Sequence, residues 1–106
     1  MVMPFRRKPV PNPPPDGPAE VDFDSLWDLA YAPALDQLGY SPVRADSEAG
    51  SVIIKDMLER LAFADLVLAD MTIPNGNVYY EVGIRHVAQQ TNCVLISADW
   101  SRQLFD

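Results

Sequence analysis

Ala64-Asp65-Leu66-Val67-Leu68-Ala69-Asp70-Met71-Thr72-Ile73-Pro74-Asn75-Gly76-Asn77-Val78-Tyr79-Tyr80-Glu81-Val82-Gly83-Ile84-Arg85-His86 is the stretch on which the reading of this chain turns. A short apolar run, Leu66 to Ala69, breaks at the Pro-Asn-Gly-Asn turn and resumes with helical spacing, as a buried parallel strand feeding a helix does. Open α/β sheets bind ligands in the crevice outside the carboxyl ends of their strands. That crevice would receive Asp70 from the strand end and Glu81 from the first turns of the helix. Both positions also suit acids for structural reasons. An Asp ending a strand bonds turn amides, and a Glu near a helix N-terminus is favoured by the macrodipole by roughly 0.3–1 kcal/mol. Two carboxylates, two asparagines and two tyrosines on one turn exceed what capping needs.

The 106 residues make one small domain, able to bury about 65% of its unfolded surface around a single core. A hydrophobic content of 48% with 22% charged residues is that of a soluble globular protein. No apolar run approaches the roughly 20 residues of a membrane span, and no signal peptide is evident. A net charge of −7 and a pI near 4.4 oppose nucleic-acid binding, which needs clustered Lys and Arg. The one basic cluster, Arg6-Arg7-Lys8, reads as a solvated turn or an anion contact. Cys93 has no internal partner, which favours a reducing cytoplasm.

Outward from the central stretch, four apolar runs alternate with three helical periods. Met1 to Phe5 reads as the abrupt end of a first strand, with residues expected upstream. Arg6 to Pro18 holds six prolines and a glycine, predicting a mobile loop that includes a Pro-x-x-Pro spacing at Pro11 to Pro14. Asp22 or Asp24 can cap a helix to about Leu38, kinked near Tyr31-Ala32 by Pro33 and ended by Gly39. Tyr40 to Ala45 is the expected second strand, with Arg44 and Asp46 as a charged pair at its carboxyl end and candidate substrate-binding residues. Ser51 then caps a helix with Ile54, Met57, Leu58 and Leu61 along its apolar face, the clearest amphipathic pattern of the chain. Asn77 is the expected cap of a third helix to about Gln89, and Cys93 to Ser97 is the fourth strand. The pattern predicts a flavodoxin-like, Rossmann-like parallel sheet of order 2-1-3-4 with helices on both faces. Its last helix and strand are expected beyond Asp106. There is no Gly-rich phosphate loop, metal-ligand spacing or Gly-x-Ser-x-Gly elbow, and no cofactor is expected.

Met3-Pro4-Phe5, Asp22-Phe23-Asp24, Val43-Arg44-Ala45-Asp46, Met57-Leu58-Glu59-Arg60-Leu61, Ala69-Asp70-Met71-Thr72 and Asn75 to His86 together give the chain a family likeness. It resembles the nucleoside 2-deoxyribosyltransferase-like and TIR-like domains of bacterial multidomain proteins, and the Asn-x-Asn-Val-Tyr-Tyr-Glu-x-Gly-x-Arg-His run is the specific part. The resemblance implies a domain that binds a nucleoside or nucleotide, NAD among them, and cleaves or transfers its N-glycosidic bond. By motif, Glu81 takes the role of nucleophile or oxocarbenium stabiliser and Asp70 contacts the sugar or base. The transferases carry an Asp-Gly-Thr type of turn where this chain has Asn75-Gly76-Asn77.

An oxocarbenium-like transition state asks for a fixed ionised carboxylate. A helix N-terminus would keep Glu81 ionised at neutral pH, which fits a nucleophile or stabiliser better than a general acid. Asn75 and Asn77 can donate to ribose hydroxyls, with Phe5 or Tyr80 against the base. His86, about 140° round the helix from Glu81, is expected to pack or cap. The alternative function is a non-catalytic signalling or interaction module that assembles with copies of itself or with fused downstream domains.

Overall fold

The computed structural model describes residues 1–45 and 51–101, with the side chains of 51–54 excepted. Asp46, the Ser47 to Gly50 loop, the side chain of Ser51 and that of Ile54 therefore lie outside the described residues. The same holds for residues 102–106.

Strand β1, Arg7–Pro9, pairs antiparallel with β2, Glu20–Asp22. The expected mobile loop is thus tied down at its start. Pro9 is tolerated because it ends the strand, and Val10 N–H continues the ladder to Ala19 O at 2.9 Å. Across the pair Arg7 reaches Glu20 at 2.9 Å and Asp22 at 3.4 Å, exposed contacts that fix register more than they stabilise. The prolines beyond it turn through Asn12, at φ 48°, and a Gly17 N–H to Pro14 O bond of 3.0 Å.

Helix α1, Phe23–Leu26, starts at Asp22, whose carboxylate accepts the Ser25 N–H at 3.2 Å. Trp27–Tyr31 then widens into a π-helical turn before α2, Ala32–Gln37. Pro33 explains this: an α-helical path would press its ring on the Leu29 carbonyl, and the wider turn routes Ala32 N–H to Trp27 O instead. The end is a Schellman motif. Gly39 sits at φ 89°, with Gly39 N–H on Asp36 O at 3.0 Å and Tyr40 N–H on Leu35 O at 3.1 Å.

Helix α3, Ser51–Phe63, buries Met57 and Leu61 as its periodicity predicts. Strand β3, Val67–Asp70, helix α4, Gly76–Ala88, and strand β4, Cys93–Ile96, form a β-α-β unit whose strands pair in parallel from Val67 with Cys93 to Asp70 with Ile96. The cap of α4 is Asn75 and not Asn77: the Asn75 side-chain oxygen accepts N–H bonds from Asn77 at 3.0 Å and Val78 at 3.2 Å.

The expected four-stranded parallel sheet of order 2-1-3-4 does not form; two small sheets stand in its place, one antiparallel and one parallel. Met1 to Phe5 contributes only an isolated parallel bridge between Val2 and Ala69, and Tyr40 to Ala45 no strand. The reason lies in two prolines. Pro4 removes the N–H that would extend the ladder past Met3, and Pro42 interrupts the second run near its middle, leaving single bonds such as Ala45 N–H to Met1 O at 2.9 Å.

Two apolar clusters result. Val2 joins Met57, Leu61, Val67, Ala69, Val78 and Val82, while the next residue, Met3, faces the other way among Val10, Phe23 and Ile73. This alternation is that of extended chain. Trp100 packs on the second cluster. Among the described residues no helix is long and apolar enough to cross a membrane.

Candidate functional site

Asp70, the last residue of β3, is 1% exposed and both its carboxylate oxygens are occupied. Oδ2 accepts the Tyr31 hydroxyl at 2.7 Å and Oδ1 the Thr72 N–H at 2.9 Å. Tyr31 comes from the π-helical turn, so the acid staples the first helical segment to the strand end. Burial, and then the bond to Asp70, push the Tyr31 hydroxyl well above its usual pKa and keep it a donor. Thr72 adds a second tie, since its hydroxyl accepts Ala98 N–H at 3.0 Å and its carbonyl accepts the Ser101 hydroxyl. A carboxylate so bonded positions backbone; two of its roughly four acceptor directions are used, and at 1% exposure the others are turned away from solvent and from any sugar that would enter from it.

Tyr31→Phe removes one of these bonds and leaves Oδ2 without its donor. A loss of about 1–2 kcal/mol is expected in denaturant unfolding, at the lower end of the cost of an unsatisfied buried acceptor because Tyr31 is half-buried and water can approach. An unchanged midpoint would show that the staple carries no stability.

Glu81 does not behave as a first-turn acid. With Gly76 as the first residue of α4 it lies in the second turn, where the macrodipole has largely decayed, and it is 3% exposed. Desolvation therefore wins: burial raises its pKa to about 7, against a smaller pull from the Met1 ammonium. The expectation of an ionised glutamate held by the helix N-terminus is corrected accordingly. Its Oε2 has no hydrogen-bond partner among the described residues. The Met1 amino group is in turn lowered by its own burial, with Glu81 opposing, while it donates to Val43 O at 2.8 Å.

The other expected contact residues are divided between two places. Phe5 and Arg44 meet, with the guanidinium 3.9 Å above the ring centroid. Arg44 further donates from Nη1 to Asp24 Oδ1 at 2.8 Å and from Nη2 to Pro4 O at 2.6 Å. Hydrogen bonds from Arg6 N–H and then from Arg44 hold Asp24 below the usual carboxylate range. The guanidinium thus covers one face of the ring that was expected to stack on a base. Asn75 is engaged as the α4 cap, while Asn77 and Tyr80 are exposed. His86, in the last turn of α4, is exposed, and it bonds to no acid among the described residues.

Sequence reasoning missed Tyr31 and Arg85. Nothing local marks Tyr31, which reaches Asp70 from 39 positions away. Arg85 was legible, for it lies seven positions after Val78 and shares the stripe of Val78, Glu81 and Val82, all buried. Among the described residues no three His, Cys, Asp or Glu side chains gather as a metal site. A groove of about 950 Å³ lies at the opposite end of β3, between Tyr40 to Ala45 and the last turns of α3, and neither Glu81 nor Asp70 lines it.

Comparison with known proteins finds no matching family model, no matching curated protein and no matching solved structure.

Proposed function

We propose that this chain is a non-catalytic interaction module that recognises a protein partner through its surface. The observation that carries this is the occupancy of Asp70: the carboxylate expected to hold a sugar or base instead holds Tyr31 and the turn after β3. Arg44 and Asn75 are engaged in the same way, one on Asp24 and Pro4 and the other on the start of α4. Three of the side chains expected to grip a nucleotide are thus parts of the fold. The charge of −7 fits a protein partner better than a nucleic acid, and the single, half-buried Cys93 suits a reducing cytoplasm.

A second reading has one observation in its favour. Glu81 is a buried acid with an unsatisfied oxygen and a pKa near neutrality, the kind of perturbation that active sites use, and the deoxyribosyltransferase-like resemblance would place N-glycoside chemistry on it. One assay separates the two. The protein is incubated with NAD and a panel of nucleosides and free base is measured by chromatography. The module reading expects no release above the protein-free control. Release that Glu81→Gln abolishes in a protein still folded by circular dichroism would overturn it in favour of the glycosidase.

A further inference from the structure

The groove of about 950 Å³ opens where α3 ends and β3 begins. Its volume is at the upper end of what a small-molecule site offers, yet its mouth is wide and its walls carry large uncovered apolar groups. Phe63 is 80% exposed, Val43 48% and Tyr40 42%. Around them stand the four exposed charges of Asp56, Glu59, Asp65 and Arg60, three acids to one base; the Met1 ammonium also reaches the groove, where it donates to Val43 O. No ion pair joins these four among the described residues. Apolar walls inside an acidic rim match a partner with an apolar stripe flanked by positive charge.

We propose that this groove docks an amphipathic, basic helical segment of a partner protein, with apolar side chains seated between Phe63 and Val43 and its Lys or Arg residues over Asp56, Glu59 and Asp65. This rests on the interaction-module reading and names the chemistry of the partner. Charge decides against a second copy as the occupant, because a chain of net charge −7 would bring like charge to an acidic rim. The one basic cluster a second copy could offer is partly spent, since Arg7 is engaged by Glu20 and Asp22. A nucleotide is disfavoured by the same rim, whose carboxylates would face its phosphates.

The test is fluorescence anisotropy on the full chain with a labelled peptide of about 15 residues carrying Leu at i, i+3, i+4 and i+7 and Lys between them. Two controls accompany it: a scrambled peptide of the same composition and one with Glu in place of Lys. The amphipathic basic peptide alone should bind saturably, and added salt should weaken it. Phe63→Asp should weaken binding about tenfold or more, as loss of a central anchor does. The double variant Asp56→Asn, Glu59→Gln should weaken it several-fold, by about 3–10-fold, and flatten its salt dependence. Because Phe63, Asp56 and Glu59 are exposed, folding of each variant is expected to be unaffected, and a thermal melt checks it. Equal binding of the scrambled peptide, or binding indifferent to Phe63→Asp, overturns the groove while leaving the module reading intact. A concentration-dependent dimer abolished by Phe63→Asp replaces the basic partner with a second copy. Base release in the nucleotide assay would instead remove the module reading itself.

Discussion

Arg85→Ala should destabilise the protein by about 2–4 kcal/mol, the largest effect expected of any single substitution here. The guanidinium is 0% exposed and makes four hydrogen bonds to neutral acceptors. Nη1 donates to Leu61 O at 2.9 Å and to Ala64 O at 2.6 Å; Nη2 donates to Gln89 Oε1 at 2.6 Å and to Thr91 O at 3.1 Å. Leu61 and Ala64 carry carbonyls at the end of α3, where the last turn has no intrahelical donors and the helix dipole is negative. Arg85 therefore caps one helix from the flank of another, and also ties down the chain leading into β4. Its removal leaves the Leu61 carbonyl in a dry interior, at about 1–3 kcal/mol if nothing replaces the bond, and empties the space the side chain filled, whereas water can reach the part-buried acceptors of Ala64, Gln89 and Thr91. Against a total of about 5–15 kcal/mol for a domain of this size, that is a large share. Arg85→Lys should recover only part of the loss, since an ammonium cannot span the acceptors that the planar fork reaches. Urea unfolding checks both variants. A midpoint shift equivalent to less than about 1 kcal/mol for the alanine variant would show that water or a neighbouring donor replaces the guanidinium.

How much of this was legible in the sequence differs between the halves of the chain. The region from Ser51 to Ile96 folds as its periodicity demands, because Met57 and Leu61 repeat at helical spacing and the Leu66 to Ala69 run is long enough to be one buried strand. Chain breaks were legible too: Gly39 takes the left-handed conformation that ends α2, and Pro33 produces the irregular turn expected near Tyr31. The sheet was not legible, because an alternation of apolar runs says nothing about whether each run can keep a hydrogen-bonding partner. Pro4 and Pro42 deny that to the first two runs, and β1 forms inside a stretch whose proline content argued against any strand, pairing with β2 just beyond it. At the site the failure has one source. Asp70 and Glu81 were placed correctly along the chain, yet what each faces is set by Tyr31 and Met1, residues brought to them by tertiary contacts with no local signature.

Glu81→Gln should change the pH dependence of stability more than stability at any one pH. The folded carboxyl has its pKa raised from 4.5 to about 7, so the folded state prefers the protonated acid. Its contribution is fully present below about pH 4.5, falls as the unfolded chain ionises there, and is lost once pH passes about 7. At about 1.36 kcal/mol per unit of pKa, the loss between pH 4 and pH 8 is on the order of 3 kcal/mol. Glutamine cannot ionise, and it leaves a buried amide imperfectly bonded at a cost of about 1–2 kcal/mol that does not vary with pH. The variant should therefore be less stable than wild type at pH 4 and more stable at pH 8. The Met1 amino group runs the opposite way: its pKa is lowered on folding, so its contribution is lost as pH falls, in both proteins. Taking the difference between variant and wild type removes most of that slope and isolates Glu81. Urea midpoints measured at intervals from pH 4 to pH 8.5 would show the two curves crossing. Curves that stay parallel would mean that Glu81 titrates at its ordinary value and meets water in the folded state. Parallel curves would also remove the perturbed buried acid that is the one observation in favour of the glycosidase reading.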